Sequence, residues 1–125
     1  MRKPRPHGAV VAWLTGLRDE QILLSAVTLG ELQAGIELTR RQDREKAQAI
    51  ELWADQLEDS YKVLPMDAPT FREWGRLMYG KSNHLIEDAM IAATARIHDL
   101  TLATRNEADF RHFDVEVVNP FKALR

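Results

Sequence analysis

Two of the nineteen acidic side chains in this 125-residue chain stand where a carboxylate is costly. Asp88 lies in NHLIEDAMIAATARIH, residues 83–98, a stretch with the pattern of a packing helix, and its helical neighbours are Leu85, Ile91, Ala92 and Ala95. An unpaired charge on a buried face is expensive, so the position asks for a partner. Glu31 is the second, because the positions that share its helical face are Val27, Ala34, Gly35 and Leu38. By contrast Glu37, Glu45, Glu51, Asp55, Glu58 and Asp59 fall in polar stretches and read as solvated surface. The loop RNEADF adds Asn106 and Asp109. Several carboxylates without a cysteine or a well-spaced histidine pair make a hard ligand set, suited to Mg²⁺ or Mn²⁺. Such an ion activates water and stabilises an in-line phosphoryl transition state. The plainer alternatives are local. Asp88 and Glu87 complement a helix dipole, Glu31 pairs with Arg105 or completes a capping box from Thr28, and Asp109 caps its own turn.

Positioning these residues requires particular elements. ILLSAV, residues 22–27, is a continuous apolar run too short for an independent helix and suits a buried strand, after which residues 28–39 turn helical. Residues 42–58 carry the stripe Ala49, Ile50, Trp53 and Leu57 of a surface helix. YKVLPMD, residues 61–67, predicts a second strand, with Asp67 capping a helix that runs to about Tyr79 and GKSN as the next break. Asn83 is expected to cap the helix of Asp88, which ends near Asp99. LTLAT at 100–104 and VEVV at 115–118 follow as strands. A short amphipathic helix is expected over 9–17. Strands separated by helices imply a mainly parallel sheet covered on both faces, a three-layer α/β domain. In that topology Glu31 falls in the first turn after a parallel strand, Asp88 descends from the same carboxyl edge, and Asn106 and Asp109 follow the third strand, so all four meet at one rim.

Composition narrows the remaining possibilities. With 45% apolar and 29% charged residues the chain is ordinary globular material for one domain, residues 1–125. A net charge of -2 argues against a broadly basic nucleic-acid surface. Two local basic groups, Arg2, Lys3 and Arg5, and Arg40, Arg41, Arg44 and Lys46, are candidates for RNA phosphate contact beside the plainer reading of solubilising charge. The absence of cysteine excludes disulfides, thiolate catalysis and Cys-ligated zinc, and makes the cytoplasm the expected compartment. No apolar run reaches the roughly 20 residues of a spanning helix, and MRKPRPHGAVVAWL is not expected to act as a signal peptide. His7, His84, His98 and His112 have no ligand spacing, while Trp13, Trp53 and Trp74 suit packing.

SAVTLGELQAGI, LIEDAMIAATARIHDLTLATRNEADF and VEVVNPF, taken as an ordered set, resemble the PIN-domain ribonuclease toxins of VapC type over nearly the whole chain. The resemblance implies a Mg²⁺- or Mn²⁺-dependent endoribonuclease of a type II toxin–antitoxin pair, usually a homodimer and inhibited by a small cognate antitoxin. Residue by residue, Glu31 matches the family's glutamate after the second strand, and Asp88 matches the aspartate that opens the DAMIAATA helix. Asn106 and Asp109 both fall where the family places its last acidic or amide position.

The family pattern also opens with a strand bearing an aspartate, in a stretch resembling LLDTNVISEL that continues into RKP, whereas this chain begins MRKP. The expectation is therefore a domain truncated at its amino end, with three ligands where the family has four. A rival reading follows, a catalytically inactive PIN module that binds an antitoxin or dimerises. A plain nucleotide-binding α/β protein is disfavoured, since no strand is followed by a Gly-rich phosphate loop.

Overall fold

The Ser25 hydroxyl accepts a hydrogen bond from the Val27 N–H at 3.1 Å, and this contact converts an apolar run from strand to helix in a single step. The expected strand over 22–27 is accordingly short: β1 is Leu23–Ser25, and Ala26 and Val27 already belong to helix α1, Ala26–Arg40. The computed structural model describes residues 22–104 and 106–119. The expected helix over 9–17, Trp13, the first basic group, Arg105 and the features of the amino end all lie outside those residues.

The chain divides into two compact units at the boundary between Leu64 and Pro65. In the first, residues 41–43 join α1 to helix α2, Arg44–Ser60, whose first turn is capped by the Asp43 carboxylate accepting from the Lys46 N–H at 3.0 Å. Ile36 from α1 and Ala47, Ile50 and Ala54 from α2 form the core, with Leu32 and Trp53 packed against it. Strand β2, Lys62–Leu64, pairs in parallel with β1, Leu24 opposite Val63.

The second unit begins with helix α3, Ala68–Met78, which Asp67 caps as expected, its carboxylate accepting from the Thr70 N–H and hydroxyl at 3.2 and 2.7 Å. The expected Asn83 cap is not formed. Asn83–Leu85 make one turn of 3₁₀ helix, so Leu85 occupies the cap position, without a side-chain bond, of helix α4, Ile86–Ile97. Strands β3, Leu102–Ala103, and β4, Val117–Val118, pair in parallel around the short helix α5, Glu107–Phe110. Ala89 and Ala92 of α4 pack with Phe110 and Phe113 in a core joined by Trp74, Leu77, Leu85 and Val117. Among the described residues the parallel strands thus pair two by two, flanked by helices. No described helix is long and apolar enough to cross a membrane.

One acid that the sequence reading passed over is buried. Glu73 faces inward from α3, where its carboxylate accepts from Arg96 at 2.7 Å and pairs with Arg76 at 2.8 Å. Arg96 also donates to the carbonyls of Phe113 and Asp114, so one guanidinium ties α3 and α4 to the turn before β4. The Arg96 guanidinium holds the Glu73 carboxyl below the ordinary glutamate value of 4.5, against the opposing effect of burial. This contribution is present above the unfolded-state pKa and is lost as the pH falls through the folded one. Glu73→Gln is therefore expected to cost about 2 kcal/mol at pH 7. In urea titrations the gap from the parent chain should close on acidification below pH 4.5. A gap that persists unchanged at acid pH would show that the carboxylate charge is not what Arg96 requires.

Candidate active site

Asp88 occupies the third position of α4, so its carboxylate lies within the first turn, where free N–H groups favour negative charge. The helix is placed there by Ala89 and Ala92, both fully buried against Phe110 and Phe113, and by Trp74, whose indole N–H donates to the Ile86 carbonyl at 3.2 Å. Asp88 itself is partly buried. Among the described residues no side-chain donor bonds its carboxylate. Burial pushes the Asp88 carboxyl above the ordinary aspartate value, and the negative charges of Asp109 and Glu87 push it further, with His84 acting in the opposite sense.

Asp109 arrives at this place from 21 residues along the chain. It sits on α5, its backbone N–H donating to the Asn106 carbonyl at 3.1 Å. Asn106 precedes the first residue of that helix, its own N–H donating to the Thr104 hydroxyl at 3.0 Å, and its exposed side chain makes no capping bond. Asp88 and Asp109 are thus brought into electrostatic range, and the loop carrying Asn106 is fixed alongside β3.

Glu31 belongs to the other unit. It stands in the second turn of α1, one turn later than expected, because the helix starts at Ala26. The same shift removes the Thr28 capping box, since Ser25 is the cap. The face of Glu31 is not buried within its unit: Glu31 and Ala34 are exposed, and Leu38 is 64% exposed.

Within the second basic group one arginine is paired and the others are exposed. Arg40 donates to Glu37 at 3.1 Å and to Glu51 at 2.7 Å, and Gln33 bridges the same two carboxylates. Its charge is spent in joining α1 to α2, whereas Arg41, Arg44 and Lys46 stay exposed. Trp53 and Trp74 pack as expected, each against its unit's core.

Among the described residues no three carboxylate or imidazole groups are gathered closely enough to hold a metal. The donor set nevertheless fits a hard cation. Two carboxylates repel each other, one of them is partly buried without a donor, and a divalent ion with its remaining sites filled by water relieves both conditions.

A family model described as PIN domain matches residues 1–116. Toxin FitB of Neisseria gonorrhoeae is 34% identical over 129 residues, an alignment spanning 95% of this chain and 89% of that protein. VapC ribonuclease Y4jK of Sinorhizobium fredii is 30% identical, across 96% of this chain and 89% of its own length. The crystal structure of FitAcB from Neisseria gonorrhoeae superposes with a TM-score of 0.80 at 33% identity, over 95% of this chain and 89% of that one. VapBC-1 from nontypeable Haemophilus influenzae, at 21% identity over 93% and 87% of the two chains, shares the fold with a TM-score of 0.69.

Proposed function

The chain belongs to the PIN-domain family, and from that premise we propose that it is the toxin of a type II toxin–antitoxin pair, an endoribonuclease dependent on Mg²⁺ or Mn²⁺. Two of its relatives are named as a toxin and as a VapC ribonuclease, which supports the reaction class. The observation that carries the reading is the Asp88 carboxylate, partly buried at the start of α4, within the field of the Asp109 and Glu87 charges, and without a donor among the described residues.

Asp88 and Asp109 would hold the ion, Asn106 would supply an amide oxygen or a water contact, and Glu31 joins the proposed set through the motif it matches. When bound, a divalent ion lowers the pKa of its water and neutralises charge developing on the phosphate. The side chains have their own tasks. The first turn of α4 fixes the orientation of Asp88. The ion takes the ionised carboxylate, so at Asp88 proton and metal compete for the same oxygens. Residues 1–125 are proposed to work as one PIN domain, with single-stranded regions of RNA as substrate and a cognate small antitoxin and a second copy of the chain as partners.

The test is RNA cleavage by the purified chain in Mg²⁺, in Mn²⁺ and in EDTA. Cleavage is expected with either ion and its loss in EDTA, restored by excess Mg²⁺. Cleavage that persists in EDTA would eliminate the metal mechanism, and none with either ion would leave a binding module.

A further inference from the structure

The turn that ends α3 presents an aromatic ring to solvent. Tyr79 has backbone angles of -55° and 121°, Gly80 follows at a φ of +75°, and the Lys81 N–H donates to the Met78 carbonyl at 2.9 Å. These are the features of a type II turn, which needs glycine at its third position and throws the second residue outward. Tyr79 is consequently 88% exposed. It borders an open groove of about 590 Å³ shared with Arg72, Gly75 and Arg76, whose floor at Gly75 has open space where a side chain would stand.

The charge of this strip is opposite to that of the chain. Between residues 68 and 86 there are three cations, Arg72, Arg76 and Lys81, against one acid, Glu73, in a protein of net charge -2. Glu73 is buried and pairs with Arg76 and Arg96, and Arg96 also meets the Asp114 carboxylate at 3.4 Å, so the unanswered cations of the strip are Arg72 and Lys81, while the Arg76 side chain remains 60% exposed. Arg72 is exposed and has no partner among the described residues. Lys81 lies 5.9 Å from the centre of the Phe113 ring. The strip occupies the solvent face of α3, opposite the face whose Trp74 bonds to Ile86 at the start of α4.

We infer that this strip binds single-stranded RNA, with Tyr79 as a stacking platform for a base and Arg72 and Arg76 meeting the flanking phosphates. An exposed aromatic among cations, on a groove lacking acids, is the combination that single strands use, since every base offers a ring face and every link a negative charge. The inference rests on the ribonuclease reading and supplies its binding surface.

The experiment compares the wild-type chain with Tyr79→Ala, Tyr79→Trp and Arg72→Gln. Binding of a fluorescein-labelled single-stranded oligoribonucleotide of mixed sequence is followed by anisotropy in EDTA, and cleavage kinetics in Mg²⁺. Tyr79→Ala is expected to raise Kd and KM about tenfold with kcat unchanged, and Tyr79→Trp to restore them. Arg72→Gln should lower the slope of log affinity against log salt by about 0.7, the value for one phosphate of a single strand. Unchanged affinity in Tyr79→Ala, or wild-type chain that binds no RNA, overturns the inference. So does a shift of Tyr79→Ala to a smaller oligomer on a sizing column with RNA affinity intact, which would assign the face to a protein contact. Wild-type chain that binds RNA through Tyr79 but never cleaves it would instead defeat the ribonuclease reading and leave the binding strip standing.

Discussion

Asp88→Asn is expected to lower RNA cleavage by roughly two powers of ten or more and, in the same protein, to raise the stability of the metal-free fold at neutral pH. The first effect follows from removing a charged oxygen from the proposed metal set, since such an ion contributes several kcal/mol of transition-state stabilisation. The second follows from the electrostatics of the site. Burial and the charges of Asp109 and Glu87 raise the folded-state pKa of Asp88, so the folded chain holds that proton more tightly than the unfolded chain does. Ionising the group at neutral pH therefore costs stability, and the cost fades as the pH falls below the ordinary aspartate value of 3.8. Asparagine keeps the shape and carries no charge, which removes the cost. Added Mg²⁺ should reverse the order, stabilising the wild-type chain more than the variant, because only the former binds the ion well. Urea unfolding of both proteins at neutral and acid pH, with EDTA and with Mg²⁺, measures each part. A variant less stable than the wild type in EDTA at pH 7 would mean that the carboxylate is structural, and the metal assignment would fall with it.

Phe113→Ala is expected to remove about 3 to 5 kcal/mol of stability, the cost of deleting a fully buried aromatic ring and leaving a cavity. Among the described residues Phe113 is the largest side chain with no exposure. Its ring lies 6.5 Å from that of Phe110 and edge-on to His112 at 5.7 Å, and it packs into the cluster that contains Ala89 and Ala92. A domain of this size has about 5 to 15 kcal/mol in total, so the variant should unfold at far lower urea. Leu38→Ala, at a side chain 64% exposed, serves as the comparison and should stay within about 0.5 kcal/mol. The two alanines of α4 that meet Phe113 follow Asp88 by one residue and by one turn, so residual folded Phe113→Ala should also bind Mg²⁺ less tightly. A loss below about 1 kcal/mol would show that the second unit closes over the gap by repacking.

The sequence alone determined features whose causes lie within about four residues. Asp67 is a cap because Thr70 follows at the right distance, and Asp88 stands out because helical period places Leu85, Ile91 and Ala92 around it. The motif set around Glu31, Asp88 and RNEADF was sufficient to identify the family. Where two local solutions compete, the reading slipped by a turn or less: Ser25 took the cap expected at Thr28, and a 3₁₀ turn displaced the cap expected at Asn83. Only the tertiary structure decided which charges meet. Glu73 is buried because α4 supplies Arg96 from 23 residues away, Arg40 is neutralised because α2 brings Glu51 beside it, and Asp109 reaches Asp88 because Phe110 and Phe113 anchor α5 on α4. An ion pair depends on which helices pack and at what register. Periodicity shows that a face will be buried and leaves its partner to the fold.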